Sequence, residues 1–193
     1  MPMKYTVISD KDVEQYTIRR YQPGDEYAIA DVICKTLIES NSKDYPPDII
    51  QENINEDSPR IIAERANGTQ NMYVVCDGDM IVGCGAIDGY WGSTTESYLM
   101  SIFVLPKYQG KRIGSKIISV LESDNYFKRA WRTEVGSSLT AVEFYRRMGY
   151  TFKNGITTPD EFHVVRLEKY NEACHNESDV KISFVEPTFG GEK

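Results

Sequence analysis

The apolar positions in the first half of the chain predict one strand, two helices and a hairpin. The segment "YTIRRY", residues 16–21, alternates apolar and polar side chains as a short strand does. Apolar residues then recur at helical spacing in "DEYAIADVICKTLIES", and "DYPPDIIQENINED" predicts a second helix, since proline suits an early helical position. Two later apolar runs are joined by Asp77-Gly78-Asp79, and Asp-Gly between strand-like runs predicts an antiparallel hairpin.

The second half continues the alternation of strands and helices. "ESYLMSIFVL" predicts a strand, a helix follows from about Gly110 to Tyr126, and "AWRTEV" predicts the next strand. "SSLTAVEFYRRMGYTF" predicts a helix that stops at Gly149 and leads into a strand, with "FHVVRLEK" as its antiparallel partner. The predicted order is β-αα-ββ-β-α-β-α-β-β, an α/β (α+β) fold.

One domain is expected at residues 16–168, between an N-terminal extension, 1–15, and an acidic C-terminal tail, 169–193. Within the tail, "KISFVE" predicts an extra edge strand. A chain of 193 residues suits one domain of ordinary size.

The composition excludes several classes of partner and cofactor. The net charge of −7 argues against nucleic acid, because phosphate binding needs clustered Lys and Arg. No apolar run reaches the length of a membrane-spanning helix and no secretory signal is visible, so we expect a cytoplasmic protein without a membrane partner. No zinc-ligand spacing exists among the cysteines and histidines, which are Cys34, Cys76, Cys84, Cys174, His163 and His175, so no metal is expected.

The stretch "FVLPKYQGKRIGSKII", residues 103–118, joins a strand to a helix through a polar loop with two glycines. The first N–H groups of a helix lack intrahelical partners and lie at the positive end of its dipole, so this junction suits an anion such as a pyrophosphate. Neither the P-loop nor the Rossmann glycine pattern matches. Alternatively, Gly110 and Gly114 only permit a tight turn and close helix packing.

Three motifs, in the same order along the chain, carry a resemblance to a known family. They are Val104-Leu105-Pro106, the loop Gln109-Gly110-Lys111-Arg112-Ile113-Gly114, and Phe144-Tyr145-Arg146-Arg147-Met148-Gly149-Tyr150. With them, residues 16–168 resemble the GNAT superfamily of acyl-CoA-dependent N-acyltransferases. The resemblance implies a central, mixed, mostly antiparallel twisted sheet flanked by helices, and acetyl-CoA as the co-substrate.

The resemblance also implies where coenzyme A binds. The backbone from Gln109 to Ser115 would hold the pyrophosphate, and the main chain of residues 102–104 would pair with pantetheine in a gap before "AWRTEV". The implied contacts are Ile102, Phe103, Val104, Gln109, Gly110, Lys111, Arg112, Ile113, Gly114, Ser115, Ser138 and Tyr145. Arg112 stands where the family usually has glycine, so we expect it to keep an ordinary helical conformation. Ser138 stands where many members have asparagine.

Acyl transfer to an amine needs a deprotonated amine, a stabilised oxyanion and a neutralised thiolate. By the resemblance, Tyr145 would protonate the thiolate, and a backbone N–H near Val104 would stabilise the oxyanion. Glu96 is the first candidate for the base, followed by Glu134 and then Asp88. Packing roles for Tyr145 and a solvated position for Glu96 are the alternatives.

The expected reaction is direct attack of a primary amine on acetyl-CoA in a ternary complex, with a small-molecule amine as acceptor. Residues 39–64 carry seven acidic and two basic side chains, which suits a cationic amine but also a plain solvated surface. Tyr45, Tyr90 and Trp91 are further candidates for lining the acceptor site. A protein or peptide acetyltransferase and a catalytically silent acyl-CoA-binding module remain alternatives, and a homodimer is compatible with the sequence.

Overall fold

A computed structural model describes residues 16–171, which build one seven-stranded sheet with helices packed against it. The strands are β1 (Tyr16–Arg20), β2 (Asn71–Asp77), β3 (Met80–Gly89), β4 (Glu96–Val104), β5 (Arg132–Ser137), β6 (Thr151–Phe152) and β7 (Val165–Tyr170). The helices are α1 (Glu26–Glu39), α2 (Pro47–Glu56), α3 (Pro59–Asn67), α4 (Ile113–Glu122), α5 (Asn125–Arg129) and α6 (Val142–Arg147). The sheet order is β1-β2-β3-β4-β5-β7-β6. Every pair is antiparallel except β4 and β5.

The predicted fold class and the order of the strands are confirmed, with two additional helices. Helix α3 starts at Pro59 directly after Ser58, and the expected helix 110–126 is divided into α4 and α5. The division lies at Asp124, whose carboxylate accepts a hydrogen bond from the Tyr126 N–H and so caps a new helix. The predicted tail strand "KISFVE" and the extension 1–15 lie outside the described residues.

The last predicted strand begins later than its hydrophobic pattern indicates. Residues 162–164 belong to a turn because the Asp160 carboxylate accepts hydrogen bonds from the N–H groups of Phe162 and Val164, at 2.9 and 3.2 Å. Strand β7 therefore starts at Val165, and it continues to Tyr170, two residues beyond the predicted domain boundary.

Helices cover both faces of the central strands. A Cβ at Gly85 would collide with Ile117, so α4 lies directly on this face of β3. Side chains alternate along a strand, and Cys84 and Ala86 on the opposite face are fully buried. Helix α1 packs against β3 and β4 and covers that face with its buried apolar residues, Ile29, Val32, Ile33 and Leu37. Within residues 16–171 no helix is long and apolar enough to cross a membrane.

The parallel strands β4 and β5 pair over four residues and then separate. The paired segment runs from Glu96–Arg132 to Leu99–Val135. On its other side, β4 stays paired with β3 as far as Val104, through a register shift at which Ser101 has a φ of 51°. The extra residue of this bulge bends β4 away from β5. The sheet therefore opens into a wedge between β4 and β5.

The side chain of Asp124 joins the beginning of α5 to strands β1 and β2. It is 4% exposed and accepts hydrogen bonds from the Asn71 amide at 3.0 Å and the Tyr73 hydroxyl at 2.7 Å, besides capping α5. We expect Asp124→Ala to lower the free energy of unfolding by about 2 kcal/mol, because it removes a helix cap and leaves two partly buried side-chain donors unpaired. Urea denaturation followed by circular dichroism measures this. The neighbouring exposed change Ser123→Ala should cost under about 0.5 kcal/mol, and equal losses would contradict the role of Asp124.

Candidate active site

A cavity of about 580 Å³ occupies the wedge between β4 and β5 and extends to the beginning of α4. All predicted coenzyme A contacts except Lys111 line it. Its wall also contains side chains that sequence reasoning did not select: Thr36, Glu39, Ser40, Asn41, Lys43, Tyr108, Thr140, Ala141, Phe144, Arg147 and Met148. Most of these come from the end of α1 and the loop after it, or from α6 and the residues on either side of it, and the positions of these segments relative to β4 depend on the tertiary fold.

Two residues of β4 direct backbone polar groups into the cavity. The Leu105 N–H donates to the Val82 carbonyl at 2.9 Å, so in this antiparallel ladder alternate residues, Leu105 and Phe103, bond to β3. The backbone groups of Ile102 and Val104 therefore face the wedge. The Val104 carbonyl already accepts a hydrogen bond from the Gln109 side-chain amide at 3.0 Å. Of the three strand residues that were expected to pair with pantetheine, Phe103 thus contributes no backbone group.

The loop before α4 bends through two residues with positive φ. Gly110 has a φ of 75°, and Arg112 is left-handed with φ 61° and ψ 9°. The expectation that Arg112 keeps an ordinary helical conformation is wrong. The loop retains the backbone shape that glycine usually provides, although an arginine occupies the position and a left-handed L-residue is about 1–2 kcal/mol less stable.

The two glycines of the loop have different physical roles. No atom lies within 4 Å of a Cβ built on Gly110, so its positive φ explains why glycine suits this position. At Gly114, a Cβ would lie 3.1 Å from the Phe144 ring, so the missing side chain lets α6 pack closely against α4. The turn and the helix packing considered from the sequence are therefore both present, one at each glycine.

Positive groups surround the loop end of the cavity. The N–H groups of Ile113, Gly114 and Ser115 belong to the first turn of α4, where no intrahelical acceptor exists, and all three residues line the cavity. The cationic side chains that line it are Lys43, Arg112 and Arg147. Lys111 instead places its Nζ 4.8 Å from the centre of the Tyr108 ring. This end of the cavity is suited to phosphate groups.

Two hydrogen-bonded links connect the α1–α2 loop to the walls of the cavity. The Asp44 carboxylate accepts hydrogen bonds from the Thr140 N–H at 3.0 Å and the Thr140 hydroxyl at 2.8 Å. The Gln109 amide donates to the Ser40 hydroxyl at 3.1 Å. Because Asp44 and Thr140 lie on opposite sides of the groove, the first link narrows the path between its two walls.

Tyr145 lies in the cavity wall, as expected, and is 5% exposed. Its ring packs edge-on against Phe144, with 5.1 Å between ring centroids, and against Tyr150, at 6.1 Å. Burial raises the pKa of Tyr145, and the neighbouring hydroxyls of Tyr98 and Tyr45 raise it further. The phenol therefore stays protonated at neutral pH and can donate a hydrogen bond.

The structure places the three candidate bases at different depths, and none of them lines the cavity. Glu134 is 1% exposed and is held by Arg132, by Lys153 Nζ at 2.7 Å and by Arg166 Nη1 at 3.6 Å. Such a carboxylate anchors cations, so we do not retain Glu134 as a base. Asp88 accepts a hydrogen bond from Thr69.

Glu96 differs from Glu134 because its side chain is 25% exposed, and it is only loosely paired, 3.4 Å from Arg132 Nη1. Of the aromatic candidates for the acceptor site, Tyr45 has its pKa raised to about 12 by burial and by Asp44 and Asp160. Tyr90 lies 6.0 Å from the Tyr98 ring, whereas Trp91 is 91% exposed. Among residues 16–171, no group of three potential ligands is arranged to hold a metal ion.

Comparison with known proteins identifies the fold and the domain. Residues 68–152 match the family model of the acetyltransferase (GNAT) domain. A PaiA N-acetyltransferase from Thermoplasma acidophilum, in complex with coenzyme A, has a TM-score of 0.70 at 14% identity, covering 81% of this chain and 99% of that one. A GCN5-related N-acetyltransferase from Rhodopseudomonas palustris has a TM-score of 0.68 at 22% identity, with 87% and 100% covered.

An aminoglycoside 6'-N-acetyltransferase complexed with coenzyme A is also similar, with a TM-score of 0.58 at 16% identity, covering 80% of this chain and 96% of that one. A search of curated protein sequences gives no match. The matched segment runs from the start of β2 to β6 and contains the cavity-lining strand, the glycine-containing loop before α4 and Tyr145. Residues 68–152 thus match a GNAT acetyltransferase domain, and the described residues have the fold of GNAT acetyltransferases, which confirms the resemblance seen in the three motifs.

Proposed function

We propose that the protein is an acetyl-CoA-dependent N-acetyltransferase in which a primary amine attacks the bound thioester directly. The observation that carries this proposal is the wedge between β4 and β5, which opens toward the first turn of α4. A ligand with phosphates at one end and peptide-like amides along its length matches both features. The coenzyme A complexes of two structural relatives support the same choice of co-substrate.

The phosphates would lie at the N–H groups of Ile113 to Ser115, near Lys43, Arg112 and Arg147. The pantetheine arm would then run back along β4 as an added strand, paired with the backbone groups of Ile102 and the N–H of Val104, since the Val104 carbonyl already accepts a hydrogen bond from Gln109. This direction places the thioester toward the narrow end of the wedge, where the Ile102 N–H is available for the thioester oxygen. Ser138 would contribute a hydroxyl where a longer amide is common in the family.

Tyr145 would act mainly as a hydrogen-bond donor to the leaving sulfur. A free thiol has a pKa near about 8.5, and the raised pKa of Tyr145 makes complete proton transfer from the phenol to the thiolate unfavourable. The phenol can pass its proton on while it receives another from the nitrogen of the tetrahedral intermediate. The C–N bond forms when the tetrahedral intermediate forms, the C–S bond breaks when that intermediate collapses, and the proton from the nitrogen ends on the thiol.

Glu96 remains the proposed base, acting on the amine through water, because it is the partly exposed carboxylate on β4. A small-molecule acceptor is favoured by the Asp44–Thr140 link, which narrows the groove. An extended peptide would need the groove to open further.

The function is tested by thiol release from acetyl-CoA with butylamine, 2-phenylethylamine, 1,5-diaminopentane and a lysine-containing peptide. We expect at least one small amine to raise the rate, and Tyr145→Phe to lower kcat by about 10²-fold, because the sulfur loses its donor. Stabilisation of both proteins by acetyl-CoA in thermal unfolding checks that the ligand still binds.

Other outcomes separate the alternatives. Binding of acetyl-CoA without amine-dependent thiol release would support a silent acyl-CoA-binding module. Turnover with the peptide alone would support a protein acetyltransferase. Equal kcat values for the wild type and Tyr145→Phe would remove Tyr145 from the chemistry.

The Arg112 side chain should strengthen acetyl-CoA binding but add little to the stability of the ligand-free protein. Arg112→Gly removes the backbone strain of a left-handed arginine, but glycine also stabilises the unfolded state, through its greater entropy, by about 0.5–1 kcal/mol. These effects oppose each other, so we expect a nearly unchanged melting temperature without ligand. The dissociation constant of acetyl-CoA should rise about tenfold, or about 1.4 kcal/mol, through loss of a phosphate contact.

The matched control is Lys111→Gly, which removes the same charge from the neighbouring residue outside the cavity wall. Calorimetric titration should show a change of less than about threefold in the dissociation constant of acetyl-CoA, because the Lys111 ammonium lies over the Tyr108 ring and does not line the cavity. Equal losses in the two variants would mean that Arg112 acts only through general electrostatics.

A further inference from the structure

The Tyr98 hydroxyl lies at the narrow end of the wedge. Tyr98 pairs with Glu134 one residue before β4 and β5 separate. Its side chain leans toward the opening, since a Cβ built on Gly136 would lie only 2.8 Å from the Tyr98 oxygen. Gly136 follows Val135, the last paired residue of β5, so the hydroxyl lies where the two strands separate. Tyr98 does not itself line the cavity, but its hydroxyl is close enough to Tyr145, which does, to raise the pKa of that residue.

The hydrogen bond that Tyr98 makes determines the direction in which it can donate. Arg166 Nη1 donates to the Tyr98 oxygen at 3.1 Å, and a guanidinium has no acceptor. The hydroxyl hydrogen must therefore point to a different atom. Within residues 16–171 no protein group accepts it in a hydrogen bond, although Tyr98 is only partly exposed. A ligand atom in the wedge is a suitable acceptor.

Arg166 is itself held firmly. Its Nε donates to Asp160 at 2.6 Å, and its Nη1 lies 3.6 Å from the buried carboxylate of Glu134. These two anions fix the guanidinium from the β6–β7 loop and from β5. Glu134, which the sequence indicated as a base, therefore acts as a positioning residue for Arg166, and Arg166 positions Tyr98.

We propose that Tyr98 donates a hydrogen bond to the thioester carbonyl oxygen of acetyl-CoA and to the oxyanion of the tetrahedral intermediate. This inference rests on the proposed function, in which the phosphates lie at the open end of the wedge and the acyl group at its narrow end. Tyr98 adds a second donor to the backbone N–H of Ile102. Tyr145 then donates a hydrogen bond to the sulfur, and Tyr98 donates one to the oxygen.

The ionisation of Tyr98 agrees with a donor role. Burial raises the pKa of Tyr98, and Arg166 offsets only part of that effect. The phenol thus keeps its hydrogen at neutral pH. An arginine bonded to the oxygen also polarises the O–H group, which strengthens the bond that the hydroxyl donates.

The test is the infrared spectrum of acetyl-CoA carrying ¹³C at the carbonyl, bound to the wild type and to Tyr98→Phe without any amine. A donated hydrogen bond weakens the C=O bond, so we expect the carbonyl stretch to move to higher frequency in the variant. With the most active amine of the panel above, kcat should fall about 10²-fold, as expected for removal of one oxyanion donor. The dissociation constant of acetyl-CoA should change less than about twofold.

Two further variants make the test specific. Gly136→Ala places a methyl group against the Tyr98 oxygen and should reproduce both the spectral shift and the loss of kcat. Tyr126→Phe removes a hydroxyl that donates to the Thr69 carbonyl at 2.9 Å, and it should change neither.

An unchanged carbonyl frequency in folded, acetyl-CoA-bound Tyr98→Phe would overturn the proposal, as would a loss confined to the KM of the amine. Failure of the wild type to bind acetyl-CoA, or to react with any amine, would instead contradict the proposed function.

Discussion

The separation of β4 from β5 is the constraint on which the rest of the site depends. Buried backbone N–H and C=O groups need partners, and beyond Leu99 the outer edge of β4 has no neighbouring strand. The bulge at Ser101 maintains this opening while β4 remains bonded to β3. A peptide-like ligand can then take the place of the missing strand, and the first turn of α4 lies where its phosphates would end.

Strain and buried charge are concentrated around this opening. Arg112 holds a left-handed backbone next to the first turn of α4, and strained residues of this kind persist where the surrounding structure holds them in place. At the narrow end, Glu134 is buried among Arg132, Lys153 and Arg166. Removal of one member of such a cluster would leave a buried charge without its partner. The intact cluster therefore favours one arrangement of β5, β7 and their loops.

Hydrophobic periodicity and turn chemistry were sufficient to predict the strands and the hairpin at Gly78, whereas the family resemblance indicated the motifs that line the cavity. Helix α3 was missed although Ser58-Pro59 is a typical helix start, so that signal was available. The conformation of Arg112, the burial of Glu134 and the position of Lys43 could not be predicted in the same way. Each depends on contacts between segments distant in sequence, which residue type and spacing do not encode.

Amide hydrogen exchange at β4, followed by NMR with and without coenzyme A, tests the central claim most directly. The account predicts that coenzyme A slows exchange at the Ile102 and Val104 amides, which face the wedge, and changes it little at Phe103, which is already bonded to β3. Unchanged exchange at Ile102 and Val104 with bound coenzyme A would contradict the claim that the ligand completes the sheet.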